Sequence, residues 1–159
     1  MELTRLNPEA LSHIVENMRE WDRKEIYATR WTDDPKDLAA DAMVIPHTSY
    51  IAVADGEPVA AFGAIPAHPG VWNVWMFATD KWPKVALITT RYIKKTLIPR
   101  LKAAGGKRAE CKSHANHHVA HKWLDSLGAI KESTLEKYGK DGEDFYLRSE
   151  EHTSELQSR

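Results

Sequence analysis

Residues 49–78 read SYIAVADGEPVAAFGAIPAHPGVWNVWMFA, and the fold turns on them. Ser49 to Ala54 and Pro58 to Ile65 are runs of β-branched and small apolar residues joined at Asp55-Gly56, a pair that accepts the positive φ angles of a tight hairpin turn. After a turn over Pro66 to Gly70, Val71 to Ala78 continues as a third strand. Both faces of these strands are apolar, so helices are expected on both sides of the sheet.

Working outward toward the N-terminus, Asp33-Asp34-Pro35 opens a helix through about Val44. Asp22 with Glu25 three residues on has the spacing of a capping box for a short helix through Arg30. Leu11, Ile14, Val15 and Met18 recur at helical spacing behind Asn7 as cap and Pro8 at the first helical position. Glu2 to Leu6 is a strand. Toward the C-terminus, Pro83 starts a long helix with Val85, Ile88, Thr89, Tyr92, Ile93, Thr96 and Leu97 on one face. Pro99 should kink or end it, and Gly105-Gly106 stops it. Lys107 to Ser113 reads as a strand, Asn116 to Leu127 as a helix ended by Gly128, Ala129 to Tyr138 and Glu143 to Leu147 as strands. The order is β-α-α-(α)-β-β-β-α-β-α-β-β, an α/β (α+β) chain with no repeat or linker, so Met1 to Leu147 is expected to be one domain.

Arg148 to Ser158 reads RSEEHTSELQS and resembles the translation of a common sequencing adapter. Residues 148–159 are therefore expected to lie outside the domain, adding at most a residue or two to the last strand, and to point to a metagenomic source. The whole chain has 159 residues, 42% hydrophobic and 28% charged, with a formal net charge of -1. That is enough chain for a real core and too little positive charge to gather nucleic acid. No apolar run approaches the ~20 residues that span a bilayer. The single Cys111 forms no internal disulfide, which fits a reducing compartment.

This order, with its hairpin and a helix ending in Leu127-Gly128-Ala129 before the closing strand pair, resembles the GNAT (Gcn5-related N-acetyltransferase) fold, a mixed central sheet with helices on both faces. Asp22-Arg-Lys-Glu-Ile-Tyr-Ala28, the Trp-rich third strand, His121-Lys-Trp-Leu-Asp-Ser-Leu-Gly-Ala129 and Gly142-Glu-Asp-Phe-Tyr-Leu147 are similar to GNAT-like proteins of T7-like podophages. The podophage resemblance implies an internal virion or virion-morphogenesis protein with lost or weak acyltransferase activity. It also implies other phage virion or assembly proteins as partners, and the host cytoplasm or the virion as its location. The fold alone implies the alternative, an active acetyl-CoA-dependent N-acetyltransferase acting on a small amine or a protein lysine.

On the GNAT resemblance, acetyl-CoA lies where the fourth strand splays from the fifth. Its pantetheine arm would bond the backbone of Met76, Phe77 and Ala78, and its pyrophosphate would rest on the amides of the next helix start. Such loops normally carry glycines, which let amides approach phosphate closely. Here the stretch is Thr79-Asp80-Lys81-Trp82-Pro83-Lys84. It has no glycine, Pro83 deletes an amide, Asp80 adds a like charge, and only Lys81 and Lys84 offset this. The general acid of the family is a Tyr at the position held here by Leu124, which has no proton to donate. Tyr138, Tyr92 and Cys111 are substitutes. Glu110 on the fifth strand, His114 and Asp80 are generic candidates for the base.

His114, His117, His118 and His121, with Cys111 nearby, fall on one flank of a helical wheel, and their i, i+4 pairs have a zinc-like spacing. No H-E-x-x-H carboxylate accompanies them, so they are expected to be a solvated flank, with no metal. Trp72 and Trp75 lie on opposite faces of their strand. Trp21, Trp31 and Trp82 sit at helix ends, where an aromatic can mark an interface.

Overall fold

The computed structural model describes residues 1–44 and 48–150. The N-terminal strand β1 (Glu2–Arg5) leads into α1 (Pro8–Glu16), whose first turn is closed by Asn7 Oδ1 accepting from Ala10 N at 2.9 Å. Then come α2 (Glu20–Tyr27) and α3 (Pro35–Ala42), the latter capped by Asp34 through Lys36 N. The hairpin is β2 (Ser49–Ala54) and β3 (Glu57–His68), turning on Asp55 and Gly56 at φ 53° and 76°. β3 runs through Pro66, and the turn contracts to residues 69–70. Pro66 is accommodated there because the β3–β4 register shifts between Pro66 and His68. β4 is Val71–Ala78.

After a short 3₁₀ turn at Trp82–Lys84 come α4 (Ala86–Tyr92), a π-helical turn (Ile93–Leu97) and α5 (Ile98–Ala103). Pro99 does not end the helix. The wider π turn directly before it takes up the bond that a proline nitrogen cannot donate. β5 (Arg108–His114), α6 (His118–Ser126), β6 (Ala129–Leu135) and β7 (Phe145–Glu150) follow.

The seven strands lie in the order β1-β2-β3-β4-β5-β7-β6. Only the β4–β5 pair is parallel. α1 and α3 pack Leu11, Ile14, Val15 and Leu38 against Ile51, Ala61 and Phe77 on one face. α4, the π turn, α5 and Trp123 of α6 pack against Phe62, Ala64, Val74 and Met76 on the other. Trp75 joins the first layer and Trp72 the second, so β4 presents its tryptophans to opposite faces as alternation requires. No helix among the described residues is long and apolar enough to cross a membrane.

β7 continues past Leu147. Arg148 is 5% exposed and donates to Asp125 Oδ1 and the Ala129 carbonyl at 2.7 Å each, while Ser149 pairs with Ile130 and Glu110 across the sheet. Residues 148–150 thus complete the sheet whatever their origin, and residues 151–159 lie outside the described residues.

Candidate functional site

The parallel ladder between β4 and β5 is short. It holds Val71, Trp72 and Asn73 against Arg108, Ala109 and Glu110, and there it ends. Beyond that point the strands part, and a cavity of about 580 Å³ runs through the gap. Asn73, Trp75, Ile26, Arg30 and Leu38 line it on the α2–α3 side. Val74, Met76, Ser113, Ala120, Trp123 and Leu124 line it on the α6 side.

The strand ends are bridged by α2 instead of by each other. Arg19 N donates to the Ala78 carbonyl at 2.9 Å, and Asp22 Oδ2 accepts from Ala78 N at 2.7 Å. Glu25 Oε2 accepts from His114 N at the end of β5, 2.8 Å away. Asp22 is 2% exposed and held by the Arg19 guanidinium through both oxygens, at 2.9 and 3.1 Å. His117 closes the circuit, its Nδ1 3.0 Å from Glu25 Oε2 and its Nε2 3.5 Å from Asp22 Oδ1. Trp21 stacks on its ring at 6.1 Å. Burial pushes the Asp22 carboxyl above the usual carboxylate range, and Arg19, the Ala78 amide and His117 pull against that rise.

Arg19, Asp22, Glu25 and His117 carry this site, and sequence reasoning did not find them. Asp22 was expected as a helix cap, but α2 starts at Glu20 and places Asp22 inside the first turn with its carboxylate turned to β4. The available signal was the i, i+3, i+6 spacing of Arg19, Asp22 and Glu25, which sets three charges along one helix face. His117 was expected on a solvated flank. His114 instead belongs to β5, both it and His117 are buried, and His118 is exposed, so the four histidines do not share one surface.

The anticipated site residues scatter. Met76 and Phe77 line the cavity. Ala78 stands at its end with both backbone groups already bonded. Lys81 pairs with Glu57 at 2.8 Å and Lys84 with Asp55 at 3.2 Å, so both are tied to the β2–β3 hairpin and neither lines the cavity. Glu110 accepts from Arg108 Nε at 2.6 Å and lies off the cavity wall. Tyr138 lines the cavity and packs on Phe145 at 5.4 Å, with 43% of its surface exposed.

The loop that would meet a pyrophosphate spends five of its amides internally. Thr79 N donates to the Val59 carbonyl, Trp82 N to that of Thr79, Lys84 N to that of Lys81 and Val85 N to that of Trp82, at 2.8 to 3.1 Å. Lys81 N bonds Thr79 Oγ1, and Pro83 has no N–H to give. The residues present do not fit a pyrophosphate, because a phosphate site at a helix start needs outward-pointing amides.

Cys111 also lines the cavity. Burial, with Glu25 nearby, pushes its thiol up to about 12. A thiolate is therefore scarce at neutral pH, and Cys111 is no nucleophile. Folded protein is expected to resist iodoacetamide at pH about 8 and to react once unfolded, where a free thiol sits near about 8.5. Stoichiometric labelling of the native state contradicts this.

Many solved structures share this architecture, several of them acetyltransferases. The Ard1 protein of Thermoplasma volcanium superposes with a TM-score of 0.71 at 10% identity, covering 93% of this chain and 95% of that one. An aminoglycoside 6'-acetyltransferase type Ii gives 0.68 at 18% identity, covering 93% and 96%. The ribosomal-protein-S18-alanine N-acetyltransferase of Escherichia coli gives 0.66 at 17%, covering 94% and 92%. The fold is that of the GNAT acetyltransferases. No protein-family model and no curated protein matches the sequence, so the likeness is one of GNAT architecture alone.

Proposed function

We propose that this GNAT-fold protein is acyltransferase-like, with an open acceptor half and a closed thioester half, so that acetyl-CoA-dependent N-acylation is weak or lost. The observation that carries this reading is the bonding of Ala78. Its N–H and C=O, among the strand groups an acyl-CoA arm would take, belong to Asp22 and Arg19. Five loop amides next to it are bonded internally, and Leu124, on the cavity wall, has no proton to give a leaving thiolate. What supports acyl transfer at all is the gap between β4 and β5 together with the Glu25–His117 pair, a carboxylate and an imidazole positioned to accept a proton from an amine.

Thioester consumption at millimolar acetyl-CoA with a panel of amines is expected to stay below about 1 s⁻¹, the lower edge of ordinary enzyme rates. Faster turnover sinks the reading.

A role in virion morphogenesis is a second reading that rests on the podophage resemblance alone. The word Asp22 to Ala28, part of the podophage resemblance, supplies the two carboxylates that close the cleft. Portal, tail and capsid genes beside its own would support that role, and resistance or toxin genes would count against it.

A further inference from the structure

Charge is not spread evenly along the chain. Residues 81–109 hold nine Lys and Arg and no Asp or Glu, in a sequence whose formal net charge is -1. The expectation that nucleic acid is not gathered rests on the whole-chain sum, which hides this segment. Most of the segment is one rod made of α4, the π turn and α5, running from Ala86 to Ala103 over roughly 25 Å.

The π turn sets which side chains face out. Thr89, Ile93, Leu97 and Leu101, every fourth residue, are buried. The wider turn keeps them in line against the sheet, where an unbroken α-helix at 3.6 residues per turn would let them drift by about 40° at each step. Positions two residues away from them therefore crown the rod: Leu87, Arg91, Lys95, Pro99 and Ala103, all exposed. Lys94 and Lys102 stand on one flank, each one residue after a buried position, and Arg100 on the other, one residue before. Arg91, Lys94 and Lys95 have no carboxylate against them among the described residues. Arg100 meets only a neutral partner, the Tyr50 hydroxyl at 3.1 Å, while Lys102 pairs with Glu150 at 2.8 Å. No residue of the rod lines the cavity.

The chemistry of this face selects its partner. A membrane surface is held by apolar side chains driven between lipids, and a protein interface by an apolar or aromatic centre. The crown has Leu87 at one end and cations along its middle. Single strands are held by stacking on aromatics. The rod's one aromatic, Tyr92, is packed against Tyr50 and Phe62. Cations on the crown and both flanks of one helix match the two phosphate walls of the B-DNA major groove, which is about 12 Å wide and admits a helix.

We propose that the outer face of α4–α5 binds double-stranded DNA through its phosphates, seated against the major groove, without reading sequence. This goes beyond the acyltransferase-like reading and does not depend on it.

The test is fluorescence anisotropy with a labelled DNA duplex. At about 20 mM salt a Kd of roughly 10 μM is expected, and four phosphate contacts give log Kd a slope of about 3.6 against log salt. Arg91→Glu with Lys95→Glu should weaken binding at least about tenfold, since two contacts become repulsions. Lys36→Glu with Lys122→Glu, at exposed lysines of α3 and α6, makes the same change in net charge and should cost less than about threefold. The milder Arg91→Gln with Lys95→Gln should lower the slope by about 2. Duplex RNA has a major groove too narrow to read, and it should bind at least about tenfold more weakly, as should polyglutamate and phosphatidylserine vesicles. No DNA binding at low salt, equal loss in the two charge-reversed pairs, or equal affinity for RNA, polyglutamate or the vesicles overturns the proposal.

Discussion

Replacing Asp22 with alanine is expected to lower stability by about 3 kcal/mol, the cost of breaking a buried charged pair from one side. The change strips the Ala78 amide of its acceptor, leaves the Arg19 guanidinium without either of its bonds and removes a neighbour of His117. Asp22→Asn should lose much less, because an amide oxygen still accepts from Ala78. The raised carboxyl pKa gives this comparison a sign. A folded state that holds its proton to higher pH than the unfolded chain gains stability in acid, and that gain falls away as pH rises through the folded value. Wild type should therefore lose its margin over Asp22→Asn as pH rises above about 4, the unfolded carboxyl value, whereas the Asn variant has no such slope. Urea denaturation across that range checks both statements. An alanine variant as stable as wild type would mean that the network is ornamental.

The second large effect concerns the end of the sheet. A chain stopped after Leu147 should melt roughly 10 °C below one stopped after Glu150, taking about 3 kcal/mol of loss and about 3 °C per kcal/mol for a domain of this size. It gives up Arg148 with its two bonds to Asp125 and Ala129, the buried Ser149, and the pairing of both with β5 and β6. Equal melting temperatures would show that β7 contributes nothing beyond Leu147.

That second case also shows what the sequence concealed. A strand is recognised by its pattern, and Arg-Ser-Glu has no apolar alternation, so the pattern carries the last strand at most a residue or two past Leu147. Arg148 is buried because Asp125 and a carbonyl lie within its reach, which only the fold reveals. The hairpin at Asp55-Gly56, the capped start of α1 and the opposed faces of Trp72 and Trp75 were legible, because each rests on local geometry or on strand alternation. Pro99 misled, since a π turn can absorb a proline and has no sequence signal of its own.

The site divides in the same way. The glycine-free loop and Leu124 were visible in the chain alone, because each is a departure at a known place in the GNAT pattern. Asp22, Glu25 and His117 could not, for they meet only when α2 lies across the ends of β4 and β5, 56 residues separating Asp22 from Ala78 and 92 separating Glu25 from His117. Lys81 and Lys84 were expected to face a phosphate and face the hairpin instead, because Asp55 and Glu57 stand closer. A surface charge goes to its nearest opposite charge, and such exposed pairs contribute little.

Closure of the thioester half is the claim on which the rest depends, and acetyl-CoA titration by calorimetry tests it most directly. With the Ala78 groups and five of the loop amides already bonded, no saturable heat is expected at acetyl-CoA concentrations up to about 1 mM, an affinity worth only about 4 kcal/mol. Binding of one equivalent with a Kd of about 10 μM or tighter would contradict the account, because it would require Asp22 to leave Ala78 at little cost.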